Sequence, residues 1–307
     1  MMDRWGSAGQ QLPRQLQDRN IDCIPLPMDE LTFSSLRGGS RLEEVNLPRP
    51  GLWGQMVQLA EIFTMIHDLH RARANGCKTH QETEWRTYEL AEELDSWRHT
   101  LSLDLLPTEE NLRRHAQRGL GSVFVALHMG FYHYTNLLYF PFLDFQLEKT
   151  PTQILFSNRC RDAAADFSDF LGLSDEIDGC EVVYFIVAHM TSVSSAALLH
   201  VLLFGHEMEL PLTRKRLERN FKTLVKLRGY WPAVNQLMER LFTFQRACMR
   251  STDPNTHKAD SWMIGFLLDH ARPVSERVGS LEGIDPPTVN MEQRDKVATD
   301  TMSLLRV

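Results

Sequence analysis

A chain of 307 residues with 43% hydrophobic and 24% charged side chains is long and apolar enough to bury a sizeable core. Its net charge of -7 and pI near 6.0 argue against nucleic-acid binding through bulk positive charge. The five cysteines, at 23, 77, 160, 180 and 248, are odd in number and never closer than 20 residues, which excludes CxxC metal knuckles and argues against a disulfide framework.

The first twenty residues are polar and do not read as a secretory signal. Across residues 1–52, Pro13, Pro25, Pro27, Pro48 and Pro50 with Gly38 and Gly39 predict an irregular segment lying on the domain. Helical periodicity begins near Gln55 and runs to Ala74, with Met56, Leu59, Phe63, Ile66 and His70 on one face. A second amphipathic helix covers about Gln81 to Leu101, with Leu90, Leu94 and Trp97 inside and Glu89, Glu92, Glu93 and Asp95 outside. Thr108 is suited to cap a helix that starts at Glu109. Ser122 to Tyr139 has no Asp, Glu, Lys or Arg and is rich in aromatics; it reads as a buried helix ending at Pro141. Ser157 or Asn158 is expected to cap the next helix, which Gly172 stops.

Val182 to Phe204 is the most apolar stretch, uncharged throughout, and about 34 Å long as a single helix. Its length fits a membrane span. Its two histidines, hydroxyl residues and lack of flanking basic clusters favour the alternative, a central helix buried on all sides. Pro211 opens a helix with a basic outer face, Pro232 opens another, and Trp262 to Leu268 is the last stretch able to pack. Residues 271–307 read as a mobile tail. The expectation is an all-α, multi-helix bundle over residues 53–270, built around the helix at about 182–204.

Two places invite a functional reading. The uncharged helices bring His128, Tyr132, His189 and Ser192 forward as a candidate ligand pocket, although a buried histidine more often only satisfies its hydrogen bonds. Ser192, Ser194 and Ser195 lie in no nucleophile elbow, and hydroxyls in a helix commonly bond the carbonyl four residues back. The basic face of Arg214, Lys215, Arg219, Lys222 and Lys226 is a candidate interaction surface, with a merely solvated face as the plain alternative. His67 and His70 share a helix face but offer two metal ligands where sites need three or four, and Gly38-Gly39 lacks the surroundings of a phosphate loop.

Five segments occur in an order that resembles the fungal-specific transcription factor domain, the regulatory region found C-terminal to binuclear zinc clusters. They are DCIPLPMDE (Asp22–Glu30), LAEELDSWRHTLSLDLLP (Leu90–Pro107), LHMGFYHYTNLLYFPFL (Leu127–Leu143), NRCRDAAADFSDFL (Asn158–Leu171) and YWPAVNQLMERLFTFQRAC (Tyr230–Cys248). The likeness spans roughly residues 20–250. Tyr139-Phe140 stand where the family usually carries an arginine before Pro-Phe-Leu, and no six-cysteine zinc cluster can form from these cysteines. The resemblance implies a nuclear, non-enzymatic transcription regulator, shortened or lacking its own DNA-reading module, with zinc confined to a separate domain absent here and no cofactor in this chain. Its implied partners are other transcription proteins or a homologous subunit, and a small-molecule effector that repacks the core; neither DNA nor membrane is an expected direct partner. Two other classes stand beside it: a small helical enzyme or ligand-binding protein using buried histidines, and a helical protein-interaction module.

Overall fold

The computed structural model describes residues 2–10, 12–15, 24–36, 49–77, 79–144, 150–249, 260–274 and 289–306. Among the described residues there are twelve α-helices and no β-strand, only an isolated bridge between Met28 and Pro50. The helices are α1 (Met2–Gln10), α2 (Glu30–Ser35), α3 (Leu52–Ala74), α4 (His80–Thr100), α5 (Glu109–Gln117), α6 (Gly121–Tyr139), α7 (Pro151–Asp175), α8 (Phe185–Phe204), α9 (Leu210–Tyr230), α10 (Val234–Met249), α11 (Ser261–Leu268) and α12 (Val289–Met302). The class is all-α, as the periodicity predicts.

The uncharged stretches make the heart. Helices α6, α7 and α8 touch one another; α3, α4 and α5 pack on the α6 side, and α9, α10 and α12 on the α8 side. Every residue of α8 from Val187 to Leu203 is buried. Among the described residues, α8 is the one helix long and apolar enough to cross a membrane, and its surface is covered by its neighbours. Its hydroxyls are all engaged: Thr191, Ser192 and Ser195 donate to the carbonyls four residues back, at 2.7, 2.9 and 2.7 Å. Ser194 instead donates across to the Ala164 carbonyl of α7 at 3.1 Å. Asn220 of α9 reaches in with its amide to Ser194 and Ser195, at 3.3 and 3.2 Å. These small side chains let three helices approach closely without leaving polar hydrogens stranded.

Caps set several boundaries. Thr79 and Glu82 form a reciprocal capping box at the start of α4, and Thr108 accepts from the Asn111 amide at the start of α5. The Glu30 carboxylate takes the Leu52 and Trp53 amides at the start of α3, at 3.2 and 3.0 Å. Helix α7 departs from expectation. It starts seven residues before Asn158, with Thr150 as cap and Pro151 in the first turn, and it runs through Gly172 to Asp175. Gly172 does not stop the helix; a Cβ there would overlap the Arg219 side chain lying across it.

The two ends of the chain differ most from the reading of the sequence. Helix α1 has its prolines outside it, and Trp5 and Ala8, three apart, face inward. Residues 16–23 and 37–48 of the expected irregular segment, Gly38-Gly39 among them, lie outside the described residues. At the other end the expected mobile tail contains α12, which buries Ala298 and Met302, with Leu305 beyond it. Its Arg294 donates to the Leu203 and Gly205 carbonyls at 3.0 and 2.9 Å, closing the C-terminus of α8. This helix forms because a packed neighbour needs covering and capping, which local periodicity does not report.

Candidate ligand cavity between the aromatic and central helices

Helix α6 presents His133, Tyr134 and Leu137 toward α8, and α8 answers with Ile186, His189 and Met190. Phe63 of α3, Leu267 and Leu268 of α11, His270 just after it and Trp5 of α1 complete the enclosure. The space left is about 10 Å³, room for a single water.

Three histidines from distant parts of the chain meet there. The His133 and His189 rings are 5.3 Å apart, edge to face, and His189 and His270 are 4.8 Å apart. Burial keeps all three neutral: it pushes His133 down to about 3 and His270 to about 4, and holds His189 well below 6.5. The Arg240 guanidinium acts in the same direction on His189 and His270. Arg240 is itself buried, donating to the Gly265 and Phe266 carbonyls at 3.0 and 2.6 Å and to the Arg272 carbonyl, so its charge is fixed in place. The Nδ1 atom of His133 is buried with no hydrogen-bond partner.

Helix α1 forms the outer wall. The Trp5 indole N–H donates to the Tyr134 hydroxyl at 2.7 Å, and Phe63 stacks on Tyr134 at 4.9 Å. Gly9 lies against the His270 imidazole so closely that a Cβ would overlap the ring. Outside this wall runs a groove of about 620 Å³, lined by Arg4, Ser7 and Ala8 of α1, by Phe63, Thr64, His67, Asp68 and Arg71 of α3, and by Asp269. Phe63 lines both the groove and the inner cavity.

Of the four residues expected to form a pocket, only His189 lines this cavity. His128 sits between Phe124 and Phe170, at ring distances of 4.6 and 5.6 Å, and Tyr132 also packs on Phe170 at 6.1 Å. Ser192 is committed to the Ala188 carbonyl. The physical reason is helical pitch: His128 and His133, five residues apart, point about 140° away from each other. His128 is likewise pushed down to about 3 by burial. His133, although within the aromatic helix, was not among the four; a projection of α6 placing it beside Tyr134 and Leu137 would have found it. His270 and Trp5 carry no sequence signal that links them to α6.

His70 is buried, with Nε2 2.9 Å from the Leu137 carbonyl, and burial pushes it down to about 3. Among the described residues no group of three or more His, Cys, Asp or Glu side chains could hold a metal ion.

The basic face of α9 is mostly turned to internal use. Arg216 and Arg219 grip Asp169 of α7, the latter at 3.1 Å, and Lys226 reaches Asp175 at 3.5 Å. Arg214 pairs with Glu218 along the helix at 3.1 Å. Lys215 and Lys222 are exposed. Cys160 and Cys180 are buried free thiols, both pushed upward by burial, so they are poor nucleophiles; Cys77 is exposed. Comparisons with family models, curated proteins and solved structures give no match to the chain.

Proposed function

We propose that the chain is an effector-responsive regulatory domain of the fungal zinc-cluster transcription factor type, acting in the nucleus through other transcription proteins. The observation that carries this reading is the cavity between the aromatic helix and the central helix, roofed by a short helix at the groove's edge. A small ligand entering there would change how α1 sits on the core, which is the two-state element a regulator needs. Four of the five resembling segments also contribute to α4, α6, α7 and α10, of which α4 and α7 pack on α6 and α10 packs on α8. The neutral, buried imidazoles suit recognition by hydrogen bonds better than acid–base turnover near neutral pH, which favours binding over the enzymatic alternative.

Tethering the chain to a heterologous DNA-binding module tests the reading. The expected result is a several-fold change in a reporter carrying that module's site, with tagged chain found in the nucleus. Output equal to that of the DNA-binding module alone, at matched protein level, would sink it.

A further inference from the structure

The cavity is small because the chain fills it with part of itself. Trp5 reaches the enclosure from α1, and its indole N–H donates to the Tyr134 hydroxyl at 2.7 Å, one of the ties that hold α1 on the core, beside the Arg4–Glu61 ion pair at 3.7 Å. Its other ties include two long contacts, Arg4 Nη1 to the Thr64 hydroxyl at 3.4 Å and the Ala271 amide to the Gly9 carbonyl at 3.3 Å. One flank of α1 borders the 620 Å³ groove. Trp5 is half-buried, and taking its indole away would widen the enclosure into an open slot. Phe63, Leu137, Met190 and Leu268 line the enclosure, with the Tyr134 hydroxyl that Trp5 bonds and with His133, whose Nδ1 is buried without a partner.

We propose that this slot is a binding site for a planar aromatic molecule bearing a ring N–H, that Trp5 is its built-in occupant, and that such a ligand acts by displacing α1. The ligand class follows from the occupant: a ring of indole shape matches the walls, and an N–H matches the acceptor that Trp5 already uses. The route follows from Phe63, the one aromatic wall shared by groove and cavity. Exchange of one indole for another costs little enthalpy, and the ligand's gain is measured against the docking of a nine-residue helix. This deepens the regulatory reading and rests on it, since it names the effector class and the element that moves.

The test uses the full chain carrying Trp5→Ala, titrated with indole and with 1-methylindole, which keeps the shape without the N–H. Indole at millimolar concentration is expected to raise the variant's melting temperature by about 3 °C, and 1-methylindole by less than half of that. No rise with indole, or equal rises with both, overturns the assignment. Should Trp5→Ala not fold, the wild-type chain supplies a second arm. Trypsin cleavage after Arg4, slow while α1 is docked, should quicken several-fold with indole, and Tyr134→Phe, which keeps the ring and removes the acceptor, should cancel that response. A cleavage rate indifferent to indole overturns the displacement. Both readouts use purified protein and no promoter, so their failure leaves the reporter result untouched, and a silent reporter leaves them untouched.

Discussion

At the scale of single residues, two glycines of α1 set opposite expectations for the same substitution. Gly6 has open space where a Cβ would go, whereas Gly9 has the His270 ring. In an exposed helix, glycine to alanine stabilises by roughly 0.5–1 kcal/mol through chain entropy. Gly6→Ala should therefore be neutral or slightly stabilising. Gly9→Ala has the same gain in propensity but must push the half-buried His270 imidazole, at a cost of about 1–3 kcal/mol for overpacking. The measurable outcome is a lower urea midpoint for Gly9→Ala and an unchanged or higher one for Gly6→Ala; equal midpoints would mean that α1 does not press on His270. His270 and Gly9 lie 261 positions apart, and nothing in the local pattern of either announces the other.

At the scale of elements, what was legible tracks how locally each helix is determined. The start of α5 is legible because a capping threonine followed by acids in the first turn is a local signal; that of α4 follows to within a residue from periodicity alone, without its cap Thr79. The start of α7 carries an equally local signal, Thr150 followed by Pro151, which outweighs the caps that Ser157 and Asn158 offer. Helices α1 and α12 are another matter: they are short, polar over much of their length, and held by what they cover. Arg294 illustrates this, since its hydrogen bonds close another helix, α8. Replacing Arg294 by methionine keeps the bulk but leaves the Leu203 and Gly205 carbonyls without that donor. A loss of about 1–3 kcal/mol is expected in denaturant unfolding. A stability change below measurement error would place α12 outside the cooperative core. The space between α6 and α8 is half legible for a related reason: the lack of charge marks both helices, but rotation about each axis decides which histidines face each other.

At the scale of the whole molecule, buried imidazoles make stability depend on pH. His70, His128 and His133 are held near 3, His270 near 4 and His189 well below its ordinary 6.5, all by burial first. Above about 6.5 both folded and unfolded chains carry these groups neutral, and they cost nothing. As the pH falls through 6.5 the unfolded chain takes up protons that the folded chain refuses, so stability drops until the folded values are reached. Each group contributes about 1.4 kcal/mol per pH unit, and the five together about 7 kcal/mol per unit once the pH is well below 6.5. Against a total stability of about 5–15 kcal/mol, acid unfolding should be centred near pH 5. Circular dichroism followed from pH 8 to pH 3 checks this; full helicity retained at pH 4 would contradict it.

The contact of Asn220 with Ser194 and Ser195 has a consequence for the identity of the fold rather than its strength. A helix as evenly apolar as α8 could turn about its axis, or slip by a turn, and still bury nearly the same area. Three polar side chains that fit only one rotation and one height remove that freedom, at the cost of an Asn220 Oδ1 left buried without a partner. Replacing Asn220 by leucine and both serines by alanine should thus leave the unfolding free energy within about 1–2 kcal/mol of the wild type. What should disappear is singularity: methyl and amide resonances of α7, α8 and α9 are expected to broaden or double as several packings come within reach of one another. Sharp, single resonances in the triple variant would show that the apolar surfaces alone specify the register.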